Sequence, residues 1–217
     1  MDTKTRAEAR GGRPRVVLAT RNAGKIAELA GPLSAFGVDL VGLDAFPEIG
    51  EIVEDGATFE ENALIKARAV ARATGLTAIA DDSGLMVDAL GGAPGVYSAR
   101  YADDWELIPG ENRDGRNIRK LLDAMKGVPE DRRACHFVTV MAAVRPDGRE
   151  LTVRGEWPGT LLKSPRGENG FGYDPVFFDA AIGRTAAELT REEKTARSHR
   201  GRAAAALLGR WGDFMGA

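Results

Sequence analysis

The chain has 217 residues, 43% hydrophobic and 29% charged, with a formal net charge of -2. That length allows one sizeable domain or two small lobes sharing a core, in an ordinary soluble globular protein. The acidic balance argues against nucleic-acid binding through a broad basic surface. The single cysteine, Cys135, excludes an internal disulfide and suits a reducing cytoplasm. Two histidines and one cysteine argue against a zinc site, so a metal here would be a hard cation on carboxylates. No apolar run approaches membrane-spanning length and there is no signal-peptide core, so no membrane partner is expected.

Residues 1–14 are polar and Arg-rich and are read as a mobile tail ahead of a single domain over 15–217. Residues 15–20 form a short buried-strand pattern that runs into Arg21-Asn22-Ala23-Gly24-Lys25. A helical stripe follows at Ile26, Leu29, Ala30 and Leu33, closing at Gly37, with a kink or break expected at Gly31-Pro32. Strand, turn and helix N-terminus together aim backbone N–H groups at an anion, and Lys25 and Asn22 add to that. The likeness to a Walker A loop is superficial, because the first Gly and the Ser/Thr after the Lys are missing.

A second strand is expected over 38–41, then an acidic loop over 47–56 carrying Glu48, Glu51, Glu54 and Asp55. Thr58-x-x-Glu61 reads as a capping box opening a helix to about Thr74, with Gly75 as its stop. Ala63, Leu64, Ala67, Val70 and Ala71 give its apolar face, while Asn62 and Lys66 share a neighbouring one. A lone helical lysine is usually solvated, so Lys66 is only a weak phosphate candidate.

The apolar run 76–80 leads straight into Asp81-Asp82 and then Ser83-Gly84, which reads as the strand's stop. Successive strand residues face opposite ways, so the two carboxylates cannot share a face. The bland reading is a solvated loop with two surface acids. The sharper one is a metal and general-base site, since ligands usually bind at strand ends in α/β sheets.

The Gly- and Pro-rich residues 91–101 specify a fixed, tight loop, and residues 103–115 an irregular one. Ile118, Leu121, Leu122 and Met125 mark a further helix. Strands over 134–144 and 150–157, joined by Pro146-Asp147-Gly148, make a hairpin and hence a mixed sheet. In residues 167–175, three glycines around Phe171 and Tyr173 let backbone and an aromatic ring approach a flat ligand. A core role for those rings is the alternative. A strand resumes at Pro175, followed by two capping-box signatures, Thr185-x-x-Glu188 and Thr190-x-x-Glu193. The last helix carries the stripe Ala204, Leu207, Leu208 and Trp211. His199 and Arg200 stand at its start, where the dipole disfavours cations, which suggests placement for a ligand.

Five stretches then occur in order: Thr20-x-Asn22-x-x-Lys25, Ala80-Asp81-Asp82-Ser83-Gly84, Gly91-Gly92-x-Pro94-Gly95, Phe171-Gly172-Tyr173-Asp174-Pro175 and Ser198-His199-Arg200-Gly201. Together they resemble the inosine triphosphate pyrophosphatase (dITP/XTP pyrophosphatase) family, over about residues 16–208. The resemblance implies an α/β fold with an elongated mixed β-sheet and flanking helices, in two lobes around a nucleotide cleft. It implies a homodimer that uses Mg²⁺ to hydrolyse ITP, dITP or XTP to the monophosphate and pyrophosphate. On this resemblance Thr20, Arg21, Asn22, Ala23, Gly24 and Lys25 bind triphosphate, and Arg21 stands where many members carry Gly. Asp82 is the proton acceptor and a metal ligand, with Glu54 the other ligand, and Ser83 contacts substrate. Phe171, Gly172, Tyr173, Asp174 and Lys194 hold the nucleoside, and His199 and Arg200 read the base. The rival readings are a pyrophosphatase for modified pyrimidine triphosphates and a non-catalytic nucleotide-binding module. RNA binding is the weakest, given the acidic charge.

Overall fold

The computed structural model describes residues 13–216, so nearly all of the expected tail over 1–14 lies outside the described residues. Among the described residues, seven strands form one sheet in the order β2-β1-β3-β4-β5-β6-β7. They are β1 (Arg15–Leu18), β2 (Asp39–Gly42), β3 (Thr77–Val87), β4 (Ala134–Val144), β5 (Glu150–Leu161), β6 (Phe177–Asp179) and β7 (Arg184–Thr185). The first strand pairs parallel with β2 and β3, whereas β6 pairs antiparallel with β5 and β7. The sheet is therefore mixed, as the β4–β5 turn predicts. The chain divides into two compact units whose boundaries fall within β3, β4 and β5 and between His199 and Arg200.

The first unit runs to Asp82 and takes in Thr139–Gly155 and the chain from Arg200 on. Its helices are α1 (Ala23–Ser34), α2 (Phe59–Thr74) and most of α5 (His199–Met215). Its core joins Val16 and Leu18 of β1 with Leu29 and Leu33 of α1, Ile79, Met141, Leu207 and Trp211. Each large side chain so buried contributes roughly 1.5–3 kcal/mol. The first helix runs through Gly31-Pro32 without a break. Pro32 sits in the last turn, so the one bond its missing N–H forfeits ends a helix that is already stopping. Thr58 caps α2 by accepting from the Glu61 N–H, and Gly75 closes that helix in the left-handed conformation. The Glu61 carboxylate reaches past Thr58 to the Ala57 N–H, so the box is displaced by one residue. On α5 the buried stripe is Ala203, Ala204, Leu207, Trp211 and Phe214. Leu208, expected in that stripe, is exposed, since it lies about 100° round the helix from Leu207.

The second unit comprises Ser83–Val138 and Glu156–His199. It holds α3 (Arg113–Ala124), α4 (Arg191–Arg197) and a core of Leu85, Val87, Leu121, Phe137, Trp157 and Phe177. Ser83-Gly84 does not stop β3, which continues to Val87. Gly84 keeps out of the left-handed region. Buried Leu85 and Val87 carry the strand on, and the Leu85 N–H is satisfied by the Ser98 hydroxyl at 2.9 Å. Likewise β5 extends past Trp157 to Leu161, and the strand expected from Pro175 begins only at Phe177, after a 3₁₀ turn over Asp174–Val176. Both capping boxes predicted at Thr185 and Thr190 form with both hydrogen bonds. No helix among the described residues is long and apolar enough to cross a membrane.

Candidate active site

In the first unit the turn after β1 is fixed from within. Thr20 Oγ1 accepts from the Asn22 N–H, and Asn22 Oδ1 caps α1 by accepting from the Lys25 N–H, both at 3.1 Å. Asn22 therefore spends its oxygen on the helix, and the turn presents the N-terminal end of α1. Arg21 donates to the Ile49 carbonyl at 2.6 Å. No described non-glycine residue has positive φ, so Arg21 needs no glycine-like backbone.

The two adjacent aspartates are buried within β3, at 2% and 7% exposure, not in a solvated loop. They take different partners, as strand alternation requires. Asp81 Oδ2 lies 2.9 Å from Lys25 Nζ and 3.7 Å from Arg200 Nε, and Arg200 Nη1 also donates to Glu28 Oε2 at 2.6 Å. Asp82 Oδ2 accepts from Asn62 Nδ2 at 3.1 Å, and its Oδ1 lies 3.7 Å from Lys66 Nζ. Lys66 also reaches Glu54 Oε2 at 3.0 Å. Contrary to the expectation for a lone helical lysine, Lys66 is buried and joins the acidic loop to β3.

These contacts set opposite electrostatics on neighbouring carboxylates. Burial pushes Asp81 upward, but Lys25, Arg200 and Lys66 outweigh it and hold the carboxyl below the ordinary range. For Asp82, burial wins over Lys66 and Lys25, and the carboxyl lies above its ordinary value. Burial lowers Lys25 in spite of Asp81. Pairs of titratable groups pushed apart by their surroundings are a mark of acid–base sites. Of the two, Asp82 is the one whose surroundings favour the protonated form.

Asn62 is a residue the sequence argument does not single out for chemistry. Its oxygen accepts from the Gly56 N–H at 2.8 Å while its amide donates to Asp82, which ties the acidic loop to the catalytic candidate. A Cβ at Gly56 would stand 2.7 Å from that oxygen, so glycine there permits the approach. Its spacing of four from Lys66 is the signal that could have found it.

Among the described residues, no group of three or more His, Cys, Asp or Glu converges as a metal site. Asp82 and Glu54 do converge on one cation, the Lys66 ammonium. Two hard oxygen donors suit Mg²⁺, which takes one or two protein carboxylates and completes its shell with water and substrate phosphate.

In the second unit the residues 167–175 are held by hydrogen bonds along their length. Asp174 Oδ2 accepts from the Phe171 N–H at 2.9 Å and from Lys194 Nζ at 2.5 Å. A Cβ at Gly170 would fall 2.0 Å from that same oxygen, and Gly170 has φ +79°, so only glycine fits. The Gly172 N–H donates to Asp114 Oδ2 at 2.7 Å. Phe171 is half-buried, with Lys194 Nζ 5.0 Å from its ring centroid. Phe171, Gly172, Asp114, Ile118 and Trp105 help line a cavity of about 890 Å³. Tyr173 is buried in the core, where its hydroxyl donates to the Ser98 carbonyl at 2.9 Å and burial raises its pKa. Its ring is therefore a core element and not a stacking surface. His199 is buried and stacks on Phe137, 4.8 Å between centroids and 12° between planes. Ser83 is half-buried, directly after Asp82 in β3.

A mixed α/β sheet carrying a buried carboxylate pair, with lysines and a helix N-terminus in the same unit, defines a protein suited to phosphate-bearing ligands. The Ham1 family model matches residues 16–210, and the chain belongs to that family. It is 60% identical over 199 residues to the dITP/XTP pyrophosphatase of Nitratidesulfovibrio vulgaris, covering 92% of this chain and 96% of the relative. Among solved structures it resembles a HAM1 protein from Coxiella burnetii, at TM-score 0.79 and 41% identity, covering 90% of this chain and 96% of that one. It also resembles the nucleoside-triphosphatase, or dITP/XTP pyrophosphatase, of Mycobacterium abscessus, at TM-score 0.71 and 50% identity, covering 89% and 98%.

Proposed function

We propose that this protein hydrolyses non-standard purine nucleoside triphosphates (ITP, dITP and XTP) to the monophosphate and pyrophosphate. The observation that carries the reading is Asp82: buried, raised in pKa, and held by Asn62 and Lys66 on the strand that also carries the Asp81–Lys25 pair. The names of the relatives agree with it. Asp82 takes the proton of the water that attacks phosphorus, and its Asn62 bond fixes the direction of the accepting oxygen. Lys25, the α1 N-terminus and the Thr20–Lys25 turn hold the triphosphate charge. Asp82 and Glu54 would hold Mg²⁺, which supplies charge neutralisation on the phosphate oxygens. Attack by water at the α-phosphorus needs no covalent intermediate. Buried Cys135, its thiol pushed up to about 12, is no nucleophile.

In the second unit, Phe171 supplies a ring for the base, Gly172 and Tyr173 supply backbone, and the Asp174–Lys194 pair holds that segment in place for the nucleoside. Ser83 contacts substrate. The same reading takes the working form to be a cytoplasmic homodimer with no nucleic-acid or membrane partner.

His199 and Arg200 read the base in this account, since a 6-oxo group accepts from donors where adenine presents its own amino donor. Wild-type protein with Mg²⁺ then prefers ITP to ATP. Arg200→Ala lowers kcat/KM for ITP by about 10- to 150-fold, the scale of a charge-assisted hydrogen bond, and leaves ATP nearly unchanged. An equal loss for both substrates would withdraw the base-reading role and leave Arg200 as the partner of Glu28 and Asp81.

A further inference from the structure

Asp114 lies outside every motif that carries the family likeness, in the first turn of α3. Its carboxylate nevertheless accepts the Gly172 N–H at 2.7 Å, from 58 residues away in the chain. The preceding N–H, that of Phe171, is held by Asp174. Two carboxylates thus grip the two N–H groups that flank the Phe171 carbonyl. Tyr173 is anchored next to them by burial and by its bond to Ser98.

We infer that Asp114 is a positioning residue for nucleoside binding, acting by fixing the Phe171–Gly172 peptide so that the Phe171 ring is set before the base arrives. The inference rests on the reading that residues 171–174 hold the nucleoside. A half-buried ring on a glycine-rich segment has many orientations, and ordering it on binding would weaken affinity. Gly172 has φ +63° and carries no side chain that could set its own conformation, so the restraint must come from a group that takes its N–H. Asp174 Oδ2 is already taken by the Phe171 N–H and Lys194, and it is Asp114 that the Gly172 N–H reaches. Asp114 supplies a charge-assisted acceptor from a regular helix. Asp114 also stands where an acid favours the α3 dipole, and that role alone would affect stability without regard to the ligand.

The test compares product inhibition of ITP hydrolysis by IMP and by pyrophosphate in Asp114→Ala, Asp114→Asn, Asp114→Glu and Phe171→Ala. Asp114→Ala should raise the inhibition constant of IMP and the KM for ITP by roughly 5- to 20-fold, the scale of one lost hydrogen bond to a charged group. Inhibition by pyrophosphate, which has no base, should stay within about twofold. Asp114→Asn retains an oxygen for the Gly172 N–H and should restore most of the IMP affinity. Asp114→Glu keeps the charge at the helix start but displaces the acceptor by one methylene. It should show the same split as alanine, and it decides the matter if the alanine variant does not fold. Equal weakening of IMP and pyrophosphate, or no weakening of either, would overturn the proposal. If Phe171→Ala weakens IMP and the Asp114 variants do not, the positioning role fails while the nucleoside reading stands. If Phe171→Ala leaves IMP unchanged, the nucleoside reading itself fails and the Asp114 role goes with it.

Discussion

On the proposed reading, in which Asp82 is the general base and would also hold Mg²⁺, Asp82→Asn loses at least about 100-fold in turnover, since a positioned general base contributes roughly 10²- to 10⁴-fold. The variant folds, since an amide keeps an oxygen for Asn62 Nδ2 and Lys66 keeps Glu54. It is also more stable than wild type at neutral pH. The folded protein holds the Asp82 carboxyl above its ordinary value, chiefly through burial. A raised carboxyl ionises more easily in the unfolded chain, so its charge opposes folding once the pH exceeds the unfolded value near 4. That cost is absent in acid and grows as pH rises through the folded pKa. Removing the charge removes the cost, so the melting temperature of Asp82→Asn exceeds wild type at pH 7 and the gap closes towards pH 4. Activity above about a tenth of wild type would take the base role from Asp82. A lower melting temperature at neutral pH would show that Lys66 needs Asp82 more than burial penalises it.

Asp81→Asn has the opposite signature. Asp81 is the common partner of Lys25 and Arg200 in the interior of the first unit. Neutralising it takes the anion from half-buried Lys25, while buried Arg200 keeps only Glu28, and breaking a pair on a buried carboxylate costs about 3–5 kcal/mol. Here the folded pKa is depressed. The contribution is therefore present above the unfolded value and lost only as the pH falls through the folded one. Denaturant unfolding of wild type and variant should differ by that amount at pH 7 and converge only well below pH 4. The substitution is thus a stability variant and no clean control for Asp82, although the residues are adjacent. A difference under about 1 kcal/mol at pH 7, the level of a surface pair, would show that Lys25 and Arg200 do not depend on Asp81.

The two aspartates also show how far sequence reasoning reaches. Their alternation along a strand is legible because the period of two is local, and so are the caps at Thr58, Thr185 and Thr190. The partners are not. Arg200 meets Glu28 across 172 residues, and Gly172 meets Asp114 across 58, with no periodicity linking them. Ser83-Gly84 reads as a stop because such pairs usually bend a chain, but buried Leu85 and Val87 keep β3 extended. Tyr173 and Phe171 look alike in a glycine-rich segment. Only packing separates the core ring, bonded to Ser98, from the half-buried one. Lys66 reads as a solvated helical lysine because the sequence cannot show that the acidic loop closes onto it.

Initial rates of pyrophosphate release at fixed Mg²⁺ test the reaction and its base preference directly. ITP, XTP, GTP, ATP and dTTP are compared with the full chain. Pyrophosphate and not orthophosphate should be released, with kcat/KM for ITP and XTP at least about 100-fold above ATP, since donors facing the 6-oxo group are left unpaired by adenine. Equal rates on all five, a preference for dTTP, or binding without turnover would contradict the proposed function.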